Sequence, residues 1–531
     1  MTKFVVITGG VISTLGKGVI TASAALLLKR KNYKVTVVKI DPYINVDAGT
    51  MRPTEHGEVY VTFDGGETDQ DLGNYERFLN QKISKNNNIT TGQIYQNVIK
   101  KERNLEYDGK CVQVMHHIPE EIERRVKKAG QDSKADIVFI EVGGTVGDYE
   151  NIPYLEALRR MKLRGENVSF IHVSYLPIPR TAGEMKSKPT QHSVKALSAQ
   201  GIQADILVCR ASQILDNVRR EKIGLFCNLK DDEVFSCPDL KSIYEVPFLL
   251  KKQGFDKKLS EILGLNNKEP ELSDWKKYIA TKQDQEITIG IVGKYFKTGD
   301  YQLEDSYHSV VEAIKHACNH EKVKPVIKWL NSDENNNLEI DAMIVPGGFG
   351  KTGVEGKIES IKYARENKIP FLGLCYGLQL SVIEHARNLL GLKDANTTEI
   401  VPDTKNPVIS TMPEQIKLLQ KKNYGGSMRL GEQKAVLKKA SLTANLYKSL
   451  EVFERHRHRY EVNPSYKERL EAKGLVVSGV HPDLGLVEFI ERKDHPYFVA
   501  TQAHPEFTST PLKPNPLFLG LIRAAKKKIL D

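Results

Sequence analysis

Residues 4–23 read FVVITGGVISTLGKGVITAS, and this stretch gives the first indication of the fold. The apolar run FVVIT predicts a buried β-strand, and the small and apolar residues after Lys17 predict a helix. Between them lies a glycine-rich turn, the arrangement in which backbone N–H groups and a lysine hold phosphates. The stretch therefore predicts a strand, a phosphate-binding loop and a helix, as in a parallel α/β sheet.

The loop departs from the usual phosphate-loop pattern in two ways. Five residues, rather than the usual four, separate Gly10 from Gly16, and Gly18 stands where a Ser or Thr hydroxyl normally binds Mg²⁺. A glycine-rich turn without a ligand is the alternative, but strand, loop, Gly16-Lys17 and helix together favour nucleotide binding. Because Mg²⁺ prefers hard oxygen ligands, we expect carboxylates from elsewhere in the chain to hold it.

Two carboxylates are candidates for that metal. Asp71 lies in GGETDQDLGNYERF, and Glu141 ends the apolar strand IVFIEVGG. Open α/β sheets bind their ligands at the carboxyl ends of their strands. A solvated surface acid is the alternative for Asp71, and it fits Glu141 poorly because Glu141 terminates an apolar strand.

The alternation of strand and helix continues along the chain. Further apolar strands are predicted at 35–40, 137–144, 168–174 and 205–209, and then at 287–293, 342–348 and 371–375. Residues 266–286 are polar and charged, which is typical of a linker. We therefore predict an α/β protein with two doubly wound domains, 1–265 and 287–531, joined by the linker 266–286.

Composition and charge limit the classes of molecule that the protein is expected to bind. The 531 residues carry 77 Lys and Arg against 67 Asp and Glu, and the basic residues are spread out, which favours anionic small ligands over nucleic acid. No apolar run is long enough to predict a membrane span, and the N-terminus lacks the layout of a signal peptide. Six cysteines without metal or disulfide spacing fit a reducing compartment. We expect a cytoplasmic protein.

Two segments are rich in residues that bind anions. They are KIDPYINVDAGTMRPTEHGEV (39–59) and GEMKSKPTQHSVK (183–195). In the second, Lys186, Lys188 and Gln191 come just ahead of a predicted helix, where lysines and the helix dipole favour a triphosphate. A solvated basic loop is the alternative for this segment alone.

A family resemblance rests on short motifs that occur in order along the chain. They are GGVISTLGKG, KIDPYINVDAGTM, EHGEV, DLGNYERF, NNNITTGQIY, EVGGTVGD, KPTQHSVK and SIYEVP, followed by DANTTE, GGSMRLG, ERHRHRYEVNP and HPEFTSTP. Together they closely resemble the CTP synthase family over nearly the whole chain. The resemblance implies a P-loop-like amidoligase (synthetase) domain of the dethiobiotin synthetase type and a class I glutamine amidotransferase domain. It also implies ATP-dependent amination of UTP with ammonia from glutamine.

Cys375, in PFLGLCYGLQLS (370–381), is the candidate nucleophile of the second domain. Without the rest of the sequence, this cysteine would be interpreted as an ordinary buried thiol. Its place at a strand-to-helix turn, where a helix N-terminus lowers a thiol pKa, suits a nucleophile. QAHPEF supplies His504 as base and Glu506 to orient it, and PGGFG (346–350) offers N–H groups to an oxyanion.

The resemblance also implies a set of binding residues and ligands. ATP would contact Gly16, Lys17, Gly18, Lys39, Asp71, Arg210, Asp239 and Ile243. UTP, or CTP as feedback inhibitor, would contact Ser13, Asp148, Glu150, Lys186, Lys188, Gln191, Lys222 and Phe226. Glutamine would contact Gly348, Gln379, Glu399 and Arg429, and Mg²⁺ would bind Asp71 and Glu141. A homotetramer, filaments and allosteric activation by GTP are further implications.

Four positions depart from the usual residues of that family. They are Arg52, Tyr149, Thr352 and Tyr376, where a small residue, a small aliphatic residue, an arginine and a leucine are usual. Tyr149 bears on feedback by CTP, and Thr352 bears on activation by GTP. None of the four belongs to the predicted triad or to the metal carboxylates.

Three other functions stay open at this point. A glutamine-dependent ligase of the dethiobiotin or cobyrinate type would share the loop and the amidotransferase, although KPTQHSVK and HGEV favour the UTP-using family. A structural, filament-forming relative would not require Cys375, Lys17 or Asp71. A partition-type ATPase on nucleic acid would require a basic stripe, which the sequence lacks.

Overall fold

The computed structural model of the protein describes residues 2–181, 183–293, 297–298, 301–302, 304–331, 339–411 and 428–530. They form two compact units, the first of residues 1–48 and 71–279 and the second of residues 49–70 and 280–531. The domain boundaries predicted from sequence stay a prediction. The units differ from them by grouping residues 49–70 with the C-terminal half.

The first unit is built on a seven-stranded parallel sheet. In spatial order its strands are Asn88–Thr90, Val35–Asp41, Ile137–Val142, Lys3–Gly9, Val168–Tyr175, Ile206–Ala211 and Val234–Pro238. Helices cover both faces, so the strands read as continuous apolar runs, and Val6, Val38 and Ile140 are fully buried. Because the strands are parallel, their carboxyl ends lie at one edge of the sheet, which is where open α/β sheets bind their ligands.

The helices of the first unit follow these strands. They are Lys17–Lys29, Asp71–Leu79, Thr91–Arg103, Val114–Asp132, Ile152–Leu163, Lys188–Ala199, Asn217–Cys227, Val246–Lys252, Phe255–Ile262 and Ser273–Ile279. The last of these helices lies inside the predicted linker. Its Trp275 is fully buried and its ring lies 5.7 Å from that of Phe78, so this part of the segment packs on the first unit.

The second unit has a nine-stranded sheet. Five neighbouring strands run parallel: Val323–Asn331, Gln285–Gly293, Ala342–Val345, Phe371–Leu374 and Phe498–Thr501. Four more extend the sheet in antiparallel fashion: Val487–Arg492, Leu475–Val480, Arg429–Leu437 and Glu451–His458. The predicted α/β class is confirmed, and the antiparallel extension is a feature that the sequence pattern did not predict.

Helices and smaller sheets complete the second unit. The helices are Pro53–His56, His308–Glu321, Val354–Glu366, Tyr376–Asn388, Leu442–Tyr447, Lys467–Glu471 and Pro516–Leu530. The smaller sheets comprise Ala395–Thr397 with Asn406–Thr411 and Tyr460–Val462, and the pairs Tyr60–Val61 with Glu67–Thr68 and Lys297–Thr298 with Tyr301–Gln302. No helix in the described ranges combines the length and apolar character that crossing a bilayer requires.

Candidate active sites

The glycine-rich loop lies at the carboxyl edge of the first sheet. Gly16 caps the helix Lys17–Lys29 with φ of 79°, a left-handed conformation that glycine adopts without strain. Lys17 is buried, and its Nζ donates a hydrogen bond of 2.9 Å to the carbonyl of Gly144. The loop is thereby joined to the chain that follows the strand Ile137–Val142.

A cluster of buried charges lies beside this loop. The Lys39 ammonium forms ion pairs with Asp71, with Glu141 Oε1 at 3.3 Å and with Asp41 Oδ1 at 3.8 Å. Glu141 is only 2% exposed, and Tyr75 donates its hydroxyl hydrogen to the other carboxylate oxygen. The structure thus brings together Lys39, Asp71 and Glu141, which the sequence analysis had placed at a phosphate and metal site.

Burial and neighbouring charges set the protonation of this cluster. Burial raises the pKa of Glu141, although Lys39 opposes that rise, and it raises the pKa of Asp41 to about 6. At Asp71 burial also opposes ionisation, but Lys39 and Lys17 outweigh it and hold the pKa below its usual value. Burial lowers the pKa of Lys17. The Asp71 carboxylate is therefore the group best prepared to stay ionised.

The glycine at position 18 has a steric reason. A Cβ built on Gly18 would lie 2.4 Å from Asp71 Oδ1, so a Ser or Thr cannot fit while Asp71 occupies that place. The carboxylate stands where the hydroxyl of an ordinary phosphate loop would be. The position of Asp71 therefore explains why the loop has a glycine, rather than a Ser or Thr, at position 18.

The donor set fits a magnesium ion that also binds phosphates. Mg²⁺ usually takes one or two protein carboxylates and completes its shell with water and phosphate oxygens. Asp71 and Glu141 supply such a pair, and within the described ranges no group of three His, Cys, Asp or Glu side chains forms a closed metal site. The two carboxylates are thus suited to a metal that arrives with a nucleotide.

Other predicted nucleotide residues occupy the same edge of the sheet. Arg210 donates to the carbonyls of Cys237 and Pro238 at 2.8 and 2.9 Å and to Asp239 Oδ1 at 3.0 Å. Ile243 begins a short 3-10 helix, Ile243–Glu245. Arg210 and Asp239 are therefore held next to each other beyond the ends of the last two strands.

The predicted UTP residues are distributed around the helices that start at Lys188 and Asn217. Lys188 begins its helix, with Nζ 5.9 Å from the centroid of the half-exposed Phe226 ring, and Gln191 is buried one turn later. Ser13, Asp148, Glu150 and Lys222 are exposed, and Lys186 pairs with Glu184. The structure therefore brings Lys188 into contact with Phe226. Tyr149, which lies between Asp148 and Glu150 in the sequence, is 86% exposed.

Sequence reasoning missed three side chains that support this region. Asp41 ends an apolar strand as Glu141 does, and Tyr75 lies one helical turn after Asp71, so both carried a readable signal. His172 is fully buried and bridges Thr8 Oγ1 at 2.9 Å and Ser193 Oγ at 2.7 Å, with its pKa lowered to about 3 by burial and by Lys17. A neutral imidazole therefore links the phosphate-loop strand to the helix of Lys188.

Cys375 occupies a strained turn in the second unit. It caps the helix Tyr376–Asn388 with φ of 49° and ψ of −95°, and its N–H donates to the carbonyl of Thr501 at 2.7 Å. A non-glycine residue in this conformation is rare and is characteristic of functional turns. The first N–H groups of a helix have no acceptor within it, so the thiol lies at a partial positive charge.

His504 and Glu506 lie together as the motif predicted. His504 Nδ1 is 2.7 Å from Glu506 Oε1, and the imidazole stacks on the Phe507 ring at 5.2 Å. Burial lowers the pKa of His504, but Glu506 and Cys375 outweigh it and raise the pKa to about 10. The protonated imidazole thus lies in one group with the Cys375 thiol and the Glu506 carboxylate, an arrangement that suits nucleophilic catalysis.

A cavity of about 410 Å³ joins these groups to the predicted glutamine residues. Gly348, Gln379 and Glu399 line it together with Cys375 and His504. Gln379 Nε2 donates to the carbonyl of Tyr460 at 3.0 Å, while its buried Oε1 has no hydrogen-bond partner among the described residues. That oxygen can accept a hydrogen bond from a ligand N–H group.

Arg429 lies beside two carboxylates, and its predicted contact with glutamine stays a prediction. Its guanidinium donates to Glu461 Oε1 at 2.9 Å and to Glu488 Oε1 at 2.8 Å, and it is not among the residues that line the cavity. Two arginines of the sequence HRHRY, Arg457 and Arg459, line the cavity. Arg457 donates to Glu67 Oε1 at 2.7 Å, and the motif alone does not show which of the two faces a ligand.

Comparisons with known proteins match two family models to consecutive parts of the chain. A family model described as CTP synthase N-terminus matches residues 3–265, and one described as Glutamine amidotransferase class-I matches residues 302–524. Relatives named CTP synthase are 52% identical in Methanocaldococcus jannaschii, covering 98% of this chain and 98% of the relative, and 50% identical in Sulfolobus acidocaldarius, covering 99% and 100%. A solved Trypanosoma brucei CTPS glutaminase domain with bound acivicin is 36% identical over 45% of this chain and 94% of that chain, with a TM-score of 0.41.

The pair of His504 and Glu506 generates a pH prediction. Glu506→Gln removes the negative charge that stabilises the imidazolium, so the pKa of His504 falls. If the imidazolium is the acid that protonates the departing ammonia, the basic limb of kcat/KM for glutamine hydrolysis moves to lower pH by about one pH unit or more. Glu491→Gln, which changes a buried carboxylate bonded to Leu442 and Thr443 instead, is the matched control. An unmoved limb in Glu506→Gln contradicts the prediction.

Proposed function

The chain belongs to the CTP synthase family, and we propose that the two clusters described above divide its reaction between them. The enzyme is a glutamine-dependent ligase that aminates UTP to CTP, with ATP and glutamine as its other substrates. The Lys17, Lys39, Asp71 and Glu141 cluster serves the ATP-dependent step. The Cys375, His504 and Glu506 group releases ammonia from glutamine.

In the first step, the O4 atom of UTP attacks the γ-phosphorus of ATP and ADP leaves. Lys17 and Lys39 lie where they can neutralise phosphate oxygens, and Lys186, Lys188 and Gln191 hold the UTP triphosphate. Asp71 and Glu141 would hold Mg²⁺, which when bound would offset the charge on the phosphates. Phosphorylation turns a poor leaving group into phosphate, which ammonia then displaces at C4.

In the second unit, the Cys375 thiolate attacks the amide carbon of glutamine. His504 protonates the departing nitrogen, and ammonia leaves behind a thioester. Water, deprotonated by His504, hydrolyses the thioester to glutamate and restores the thiol. Glu506 stabilises the imidazolium in both half-reactions.

The cavity suggests how glutamine is held for this chemistry. The Glu399 carboxylate suits the α-amino group, the Arg459 guanidinium suits the α-carboxylate, and Gln379 Oε1 suits an N–H group of the substrate. Arg459 replaces Arg429 in this proposal, since the Arg429 guanidinium already binds two carboxylates.

The observation that carries the proposal is the close approach of Gly18 and Asp71. Because the Asp71 carboxylate lies against Gly18, where other phosphate loops have a hydroxyl side chain, one of the two proposed metal ligands is next to the phosphate loop. The similarity to CTP synthases over the full chain length favours UTP over the substrates of other amidoligases, and no observation favours a purely structural role or a nucleic-acid partner.

Regulation and assembly enter the proposal from the family resemblance. We propose a cytoplasmic homotetramer, able to form filaments, with GTP as activator and CTP as feedback inhibitor near Asp148, Glu150 and Phe226. Thr352 is exposed and offers no charged fork, so stimulation by GTP is weaker than with an arginine there.

Removal of either metal carboxylate tests the first unit. Asp71→Asn or Glu141→Gln lowers CTP formation by roughly a hundredfold or more, because the loop has no hydroxyl to replace them on the metal. The loss is the same with ammonium and with glutamine, as followed by the absorbance of CTP. Asp205→Asn, in a carboxylate that accepts from the backbone of Phe170, is the control. Full activity in either variant removes that residue from the site.

Removal of the thiol tests the second unit. Cys375→Ala abolishes CTP formation from glutamine and leaves the rate from added ammonium near that of the wild type, because phosphorylation of UTP does not use the thiol. Cys318→Ala is the matched control, since this buried thiol lies in the core of the same unit and costs only packing, about 1 kcal/mol. Glutamine-dependent synthesis that survives in Cys375→Ala overturns the nucleophile assignment.

A further inference from the structure

Tyr376, the residue after the nucleophile, contacts the loop Pro346–Gly350 in two ways. Its hydroxyl donates a hydrogen bond of 3.0 Å to the carbonyl of Gly350. Its ring lies against Gly348, since a Cβ built on that glycine would be 3.6 Å from Tyr376 Cδ1. The side chain is 1% exposed, so both contacts are shielded from water. A leucine, which lacks the hydroxyl, could make only the packing contact.

The same loop is held from its other side by two more groups. The Gly350 N–H donates to Glu399 Oε1 at 2.9 Å, so both polar backbone groups of this glycine have partners. Gly347 lies against the catalytic imidazole, because a Cβ there would be 2.7 Å from His504 Cε1. The loop is thus fixed between the nucleophile's helix, the base and a cavity carboxylate.

A buried ammonium lies behind the loop. Lys357 is fully buried, and its Nζ is 5.6 Å from the centroid of the Tyr376 ring. A Cβ on Gly348 would be 3.7 Å from the same Nζ. The face of an aromatic ring attracts a cation, so the Tyr376 ring offers a favourable contact to the Lys357 side chain next to the loop.

We propose that Tyr376 is a positioning residue that holds the loop Pro346–Gly350, and the Lys357 charge behind it, at the oxyanion of the tetrahedral intermediate. This inference rests on the proposed function of Cys375. When Sγ adds to the glutamine amide, the C=O π electrons move to oxygen, and N–H groups must already lie near that oxygen to stabilise it. The Tyr376 hydroxyl fixes the carbonyl of Gly350, and thereby the orientation of the N–H groups before it.

The variant that isolates the hydroxyl is Tyr376→Phe. It should lower kcat for glutamine hydrolysis roughly tenfold, the rate equivalent of about one hydrogen bond, while KM for glutamine changes less than twofold. Tyr376→Leu, which also removes the ring beside Lys357, should lower kcat further. Tyr497→Phe is the matched control, because it deletes a buried hydroxyl that donates to the carbonyl of Leu517 in the same unit.

Two compounds that react with the Cys375 thiol distinguish a loss of loop positioning from general damage to the site. Glutamate γ-semialdehyde adds to the thiolate through its carbonyl and forms an oxyanion, so Tyr376→Phe should weaken its inhibition by the same factor as kcat/KM falls. Iodoacetamide alkylates the thiolate by displacing iodide and forms no oxyanion, so its rate should not change. Ammonium-dependent CTP synthesis should also stay at the wild-type rate.

Three outcomes would overturn the inference. They are wild-type inhibition by the aldehyde in Tyr376→Phe, a loss of alkylation rate equal to the loss of kcat, and a rise in KM with no change in kcat. Failure of the proposed function would look different, because the aldehyde would then not inhibit even the wild-type enzyme. A failed inference leaves that inhibition intact.

Discussion

The ion pairs of Lys39 with Asp71 and Glu141 are the constraint on which the proposed nucleotide site depends. Two carboxylates at the edge of an apolar sheet cannot remain ionised without positive partners, because burial of an unpaired charge costs several kcal/mol. Lys39 and Lys17 supply that charge from the ends of a strand and a loop. In the proposed function the same arrangement would supply carboxylates to a metal and lysines to phosphates, so the interactions that stabilise the cluster would also prepare the site.

The second unit uses the same kind of position in the fold for different chemistry. There the strand Phe371–Leu374 passes directly into the helix Tyr376–Asn388, and Cys375 forms the turn between them with a positive φ of 49°. Both units therefore place their reactive groups where a parallel strand ends and a helix begins. Lysines and carboxylates make one such edge suitable for phosphates, while a thiol and a protonated imidazole make the other suitable for acyl transfer.

Residues in strand and loop motifs could be assigned from the sequence, because their neighbours along the chain define their surroundings. Lys17, Glu141 and Cys375 all follow or end apolar strands, and the α/β class follows from the same strands. Residue pairs distant in sequence could not be assigned in this way. The bridge from Thr8 through His172 to Ser193 joins three segments, and nothing near His172 in the sequence distinguishes it from an ordinary core residue.

Two other differences between the sequence-based predictions and the structure have local physical causes. The linker prediction rested on polar composition, and within that segment the burial of Trp275 holds a short helix in the first unit. Arg429 is paired with the buried carboxylates of Glu461 and Glu488, whereas Arg459 lines the cavity. Burial of a charge beside its partners is a property of the folded chain that a motif does not display.

The central claim is that this chain activates UTP by phosphorylation before nitrogen arrives. The most direct test supplies UTP labelled with ¹⁸O at position 4, together with ATP and ammonium, to the full-length protein and determines where the label goes. Transfer of ¹⁸O into inorganic phosphate, in an amount equal to the CTP formed, is the predicted result, since the bridging oxygen leaves with phosphorus. CTP formation with unlabelled phosphate and ¹⁸O in water would contradict the account.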